Sequence, residues 1–149
     1  MKNFAMEILF ENIDVLEHHE FQPGYLGVLT INAGDKNLVR NVTYRDIRIE
    51  PFEHGKVLDF QVKWNRDYNP APGRGIEHVL VERVSVLSGD GEEPSVIAGY
   101  SEKFPVRDIV IRDFYRDGRK AESLEEAGIV VGEFAEDVGI KQAIPEGRS

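Results

Sequence analysis

The sequence predicts an all-β fold, a right-handed parallel β-helix of about four to five coils, and three observations lead there. An eight-residue pattern recurs: ILFENIDV from Ile8 to Val15, VTYRDIRI from Val42 to Ile49, VLVERVSV from Val79 to Val86 and IVIRDFYR from Ile109 to Arg116. The copies align without gaps, starting at residues 8, 42, 79 and 109, and a truncated fifth, Val138-Gly139-Ile140-Lys141, follows. Periods of this size belong to solenoids and arrays. Within each unit, positions 1, 3, 6 and 8 are mostly apolar, which is strand alternation interrupted once in the middle. A second series of short apolar segments lies between the units: Leu26 to Ala33, Val57 to Trp64, Ser95 to Tyr100 and Gly128 to Phe134.

The interruption explains itself chemically. Position 5 holds Asn12, Asp46, Arg83 and Asp113. Asn and Asp tolerate the left-handed backbone conformation and bond to nearby backbone, so they suit a bend that lets both halves of the strand turn their apolar side chains inward. Arg83 is the exception. Stacked in register, the units would build interior ladders of Ile8, Val42, Val79, Ile109 and Val138, and of Phe10, Tyr44, Val81, Ile111 and Ile140. Each buried aliphatic in such a ladder contributes ~1.5 to 3 kcal/mol.

Regular period separates this fold from its competitors. A sandwich would space strands and turns at roughly 8 to 12 residues without alignable copies. A leucine-rich repeat would need its Leu and Asn ladder and a left-handed β-helix its hexapeptides, and neither is present.

In chain order, Met1 to Ala5 leads into the first unit, and Leu16 to Gly24 is polar with a Pro-Gly turn signal. Asn65 to Gly75 (NRDYNPAPGRG) and Ser88 to Pro94 (SGDGEEP) read as loops, giving about three short strands per period. Ala121 to Ala127 (AESLEEA) reads as about two turns of helix, and the tail from Gln142 to Ser149 as frayed. The chain of 149 residues reads as a single domain, 1–149, with 41% hydrophobic residues to fill its core.

Composition narrows the function classes. The chain has no cysteine, which excludes a disulfide framework and thiolate metal ligands but leaves the compartment open. A formal net charge of −9 argues against nucleic acid and anionic membrane as partners. No apolar run approaches the roughly 20 residues of a membrane span. The start, MKNFAMEILFEN, lacks the apolar core and cleavage site of a signal peptide, so the expectation is a chain that begins inside its fold, either cytoplasmic or a piece of an exported enzyme.

The segments FENIDV, NVTYRDIRIE, GIEHVLVERVSVLSG, PSVIAGY and PVRDIVIRDF resemble the carboxy-terminal coils of pectin-lyase-like β-helix proteins, especially bacterial polygalacturonase-like glycoside hydrolases, from Asn3 to about Lys141. The resemblance implies a β-helix related to carbohydrate-active enzymes. That family's paired Asp motifs of the kind NTD and DD, its Gly-His-Gly and its Arg-Ile-Lys do not occur in this chain. The expectation is therefore a polysaccharide-binding module, part or relic of a larger enzyme. An active glycosidase and a noncatalytic assembly module are the alternatives.

Glycoside hydrolysis needs two carboxyl groups about 5 to 9.5 Å apart. Candidate catalytic residues are Asp35, Asp59, Glu17 and His18. If Gly34, Gly99 and Gly132 are equivalent, then Asp35, Tyr100 and Glu133 form one outward row, with Lys63 or Trp64 between them. Coils are ~4.8 Å apart, so Asp35 and Glu133 would be on the order of 14 Å apart, too far to cooperate. Asp59, expected beside Ile31, gives no pair either. As a binding groove the row is better suited: Trp64 and Tyr100 offer rings to apolar sugar faces, and Asp35, Lys63 and Glu133 offer polar groups to hydroxyls. Trp64 is the only tryptophan.

Glu17-His18-His19-Glu20 and Glu53-His54 would sit in neighbouring loops, where His18 and His54 could act as acid or base near neutral pH. Adjacent His residues on an extended chain point to opposite sides, so no metal site and no cofactor is expected. His78 is expected on the outer surface, and Asn41-Val42-Thr43 matches a glycosylation sequon around a predicted core residue. A short solenoid leaves strand edges at both ends, so self-association through an end or a face is also expected.

Overall fold

The structure, a computed structural model, describes residues 7–16, 27–34, 38–51, 55–64, 71, 73–89 and 92–141. Along the chain these form β1 (Ile8–Val15), β2 (Gly27–Ala33), β3 (Leu38–Ile49), β4 (Gly55–Val62), β5 (Gly75–Val86), β6 (Glu92–Glu93), β7 (Ser95–Ala98), β8 (Val106–Arg116), β9 (Arg119–Lys120), α1 (Leu124–Ala127), β10 (Ile129–Val131) and β11 (Ala135–Ile140). The fold is all-β, and its long strands run parallel. One sheet has the order β1-β3-β5-β8-β11, with β9 added antiparallel to β8. The other has the order β10-β7-β4-β2, with β6 also paired to β4. The chain passes alternately from one sheet to the other, and each return adds a parallel strand beside the previous one.

The four repeat units and the truncated fifth lie side by side in the register that their apolar pattern predicts. Ile8 stands beside Val42, Val42 beside Val79, Val79 beside Ile109 and Ile109 beside Val138. Phe10, Tyr44, Val81, Ile111 and Ile140 form the second row. The middle members of both rows are buried together with Ile47, Val84 and Phe114. Across the interior, Tyr44 of the first sheet stacks on Phe60 of the second at 6.0 Å between ring centroids, so the two inner faces share one core. Ile8 and Phe10, on the outermost strand, remain 41% exposed because among the described residues β1 is paired only with β3.

The bend at position 5 is present in all four full units, with φ of 57° at Asn12, 55° at Asp46, 51° at Arg83 and 48° at Asp113. Arg83, the residue type that fits least, takes the same conformation as its Asx neighbours. A second bend precedes the second to fifth units, at Asn41, His78, Asp108 and Asp137, with φ between 51° and 60°. Both bends skip a residue in the ladder: pairing runs from Arg40 beside Glu77 to Val42 beside Val79, and from Arg45 beside Glu82 to Ile47 beside Val84. Among the described residues the first two periods have two strands each, β1-β2 and β3-β4, and the next two have three each, β5-β6-β7 and β8-β9-β10. The expectation of about three strands per period thus holds for the later part of the chain, and β3, β5 and β8 are long and twice bent. The helix is briefer than AESLEEA suggests. Ser123 caps it by accepting from the Glu126 N–H, and Gly128 ends it at φ 77°.

On the outside of the first sheet, in-register stacking brings equivalent positions together, and their charges alternate. Position 4 reads Glu11, Arg45, Glu82, Arg112 from strand to strand. Arg45 Nε donates to Glu82 at 2.6 Å, Arg45 lies 3.5 Å from Glu11, and Arg112 lies 3.8 Å from Glu82. Two residues before the units, Glu77 takes Arg107 at 2.8 Å and Arg40 at 3.7 Å. Position 7 pairs Arg48 with Asp14. Parallel stacking of identical repeats would set like charges together; alternation converts that penalty into attraction.

Candidate functional site

Trp64 and Tyr100 sit where two successive passes of the chain leave the second sheet. β4 ends at Val62 and β7 at Ala98, so both rings lie just beyond their strands, unlike the expectation that strands continue to Trp64 and Tyr100. Their ring centroids are 6.1 Å apart at an interplanar angle of 73°, an edge-to-face contact. Both are half-buried, while Lys63 and Glu133 are exposed.

Backbone bonds fix this corner. Lys63 N donates to the Ala33 carbonyl at 2.9 Å, Gly73 N donates to the Lys63 carbonyl at 3.1 Å, and Tyr100 N donates to the Phe104 carbonyl at 3.0 Å. Two glycines permit the close approach: a Cβ on Gly73 would lie 2.2 Å from the Ala33 carbonyl oxygen, and one on Gly99 would lie 2.4 Å from that of Phe134. Any side chain there would push a loop off the sheet.

The row in which these residues were expected differs in register. Val62 stands beside Ala33, and the Lys63 bond to Ala33 sets Lys63 against Gly34. Val131 pairs with Ile97, so Gly132 stands against Ala98 rather than Gly99; a Cβ on Gly132 would meet that of Ala98 at 3.1 Å. The Glu133 carbonyl accepts from Gly99 N at 2.9 Å, which keeps Glu133 at the Ala98–Gly99 step and short of Tyr100. Alignment on glycine misplaced it because each glycine answers a different close approach. Trp64 and Tyr100 are brought together; Glu133 reaches the same corner through its backbone.

Asp59 is placed differently from expectation as well. It pairs with Thr30, not Ile31, and is fully buried. Its Oδ1 accepts from Gln61 Nε2 at 2.5 Å and lies 3.6 Å from Lys56 Nζ, while Oδ2 has no hydrogen-bond partner. A buried carboxylate of this kind is tied to its own strand. Asp35, Glu17, His18 and His54 lie outside the described residues. His78 is exposed, as expected, and its Nδ1 lies 2.5 Å from Asp108 Oδ2, the equivalent residue of the next strand. Val42, the middle of the sequon, is buried. Among the described residues no cluster of three or more His, Asp or Glu is gathered to hold a metal, and no helix is long and apolar enough to cross a membrane.

Beside the Tyr100 turn is a hollow of about 320 Å³ whose lining includes Leu38, Arg74, Glu77, Lys103, Phe104 and Arg107. Lys103 Nζ lies 5.6 Å from the centroid of the Phe104 ring. The hollow combines apolar faces with cations and one buried carboxylate, Glu77, which is held by Arg107. Sequence reasoning missed it. The available signal was Lys103-Phe104-Pro105, an exposed cation and a half-buried aromatic shortly after Tyr100 in a segment that read only as a connection.

The charges around the first sheet shift ionisation in step with their partners. Hydrogen bonding from Arg83 holds the Asp46 carboxyl below its usual 3.8. Asp117 is lowered by the Ser88 backbone N–H first and its hydroxyl second. Burial pushes the Tyr44 hydroxyl up to about 12. No family model, no curated protein and no solved structure matches the chain.

Proposed function

We propose that this chain is a right-handed parallel β-helix module, akin to the later coils of polygalacturonase-like glycoside hydrolases, and that it binds polysaccharide at the corner carrying Trp64 and Tyr100. The β-helix reading is supported by the alternation of the chain between two parallel sheets, each return advancing by one strand. Its right hand follows from the strong preference of parallel crossovers. The observation that carries the binding reading is the edge-to-face contact of Trp64 with Tyr100 at 6.1 Å. It joins two successive passes of the chain in one half-buried aromatic surface. Such a surface takes the apolar face of a sugar ring, and Lys63, Glu133 and, by sequence, Asp35 supply groups for hydroxyls at its margin. A net charge of −9 favours a neutral or mixed polysaccharide over a polyanion.

Because Trp64 is the only tryptophan, its fluorescence reports on this corner alone. Titrating a panel of neutral and mixed oligosaccharides should change that emission and retard the protein in an affinity gel. Tyr100→Ala should abolish both responses while leaving the circular dichroism unchanged, and Trp64→Ala should abolish the retardation. Folded protein that ignores the whole panel overturns the reading. Turnover of a bound glycan, lost in Asp35→Asn, would make the chain a glycosidase instead.

A further inference from the structure

The two edges of the first sheet are complementary. At one edge, β1 is hydrogen-bonded only to β3 among the described residues, and Ile8, Phe10 and Ile13 leave the end of the core 37 to 41% exposed. At the other, β11 is bonded only to β8, with Val138 and Ile140 half-buried and Phe134 exposed nearby. The apolar interior thus reaches both edges without a described strand over it.

Along position 4 the two edges end in charges of opposite sign, while β11 also carries the acids Glu136 and Asp137. Along position 4 the row begins with Glu11, which is 3.5 Å from Arg45, while the shorter 2.6 Å bond of Arg45 goes to Glu82. The row ends in two cations. Lys141 follows Arg112 in the ladder, since Lys141 N donates to the Ile111 carbonyl at 2.9 Å, and alternation stops there. Arg112 approaches Glu82 only to 3.8 Å, and its Nε is buried with no hydrogen-bond partner. In the position 4 row no acid follows Lys141, whose described partner is Asp137 of its own strand, and no base precedes Glu11.

We propose that the molecule stacks head to tail on a second copy of itself, β11 of one copy pairing in parallel with β1 of the next. Continuing the observed register sets Val138 beside Ile8, Ile140 beside Phe10 and Lys141 beside Glu11, so apolar rows join and sign alternation resumes. Asp137 comes beside Glu7 in that arrangement, a like-charge meeting that Lys141, 3.5 Å from Asp137, offsets. Pairing of two β1 edges is disfavoured, because Glu11 and Asp14 would face their own copies with no base between them. A head-to-tail contact does not use the same surface twice, so it generates an open series rather than a closed dimer.

Sedimentation velocity of the full chain over a range of concentrations tests this. The native chain should give a series of species that grows with concentration. Glu11→Lys alone and Lys141→Glu alone should each weaken association about tenfold, by setting like charges at the junction. Glu11→Lys combined with Lys141→Glu should restore it. Circular dichroism of all three checks that each is folded. A chain that stays monomeric throughout, a dimer that stops at two, or a double exchange no better than the single ones overturns the proposal.

Discussion

Arg83 donates two hydrogen bonds to the carboxylate of Asp46, at 2.6 and 3.1 Å, and the two residues occupy the same left-handed bend on adjacent strands. An arginine at φ 51° is strained, whereas an aspartate tolerates that conformation. The fork of bonds is what holds the less suitable residue there. Arg83→Asn exchanges the fork for a residue suited to the bend, so thermal stability should change little. Arg83→Val loses the fork and adds a β-branched side chain at positive φ, and should lower Tm by several degrees. Thermal melts of the two variants, side by side, check the difference.

Position 6 of the repeat gives a test of end against middle. Ile47 is fully buried and Ile13, its neighbour in register, is 37% exposed. Ile47→Ala should cost ~2 to 5 kcal/mol and Ile13→Ala under ~1 kcal/mol, because only the first leaves a cavity lined on both sides. Urea denaturation measures both. Equal losses would mean that β1 is covered in solution, which the dilution series above would also reveal.

Glu82 lies between Arg45 and Arg112 in the position 4 row and is nearly buried. Glu82→Gln should destabilise by ~2 to 4 kcal/mol, since it removes the acceptor charge and leaves two guanidinium groups facing each other. Combining it with Arg45→Gln should recover part of that loss, and a double-mutant cycle in urea gives the coupling.

Alkali should destabilise the protein through Tyr44. Its hydroxyl titrates near 12 in the folded chain against 10.0 when free, so the neutral form is favoured by folding. Stability from this group is complete below pH 10 and is lost as pH rises from 10 to 12, by at most roughly 2 to 3 kcal/mol. Tyr44→Phe should remove that part of the alkaline decline. It forfeits only the 3.4 Å bond to the Thr30 carbonyl.

The first sheet was legible because three signals coincide at each unit: apolar side chains at fixed positions, an Asx residue at most bends and a nearly constant period. They fixed the register of Ile8, Val42, Val79 and Ile109 even though Arg83 breaks one signal. The second bend carries a similar signal, with Asn41, Asp108 and Asp137 as Asx residues and His78 the exception, but it lies one residue outside the aligned eight-residue unit and so went unread. In the second sheet the inward row Leu29, Leu58, Ser95 and Ile129 includes a buried serine, whose Oγ accepts from Leu58 N at 3.0 Å, and β4 is buried on both faces. Alternation therefore fades there, and alignment fell back on glycines. The pairing of Trp64 with Tyr100 was legible as residues in one row, but the hollow beyond Tyr100 depends on a turn whose shape no periodicity announces.

The alternation of Glu11, Arg45, Glu82 and Arg112 also restricts how such a chain can lengthen or shorten. Excising the single repeat that carries Glu82 would leave Arg45 against Arg112, whereas excising the two that carry Arg45 and Glu82 would set Glu11 against Arg112. Arg40, Glu77 and Arg107 obey the same parity. Units added or removed by design are thus expected to be tolerated better in twos than singly, a constraint set by the outer charges and not by the interior.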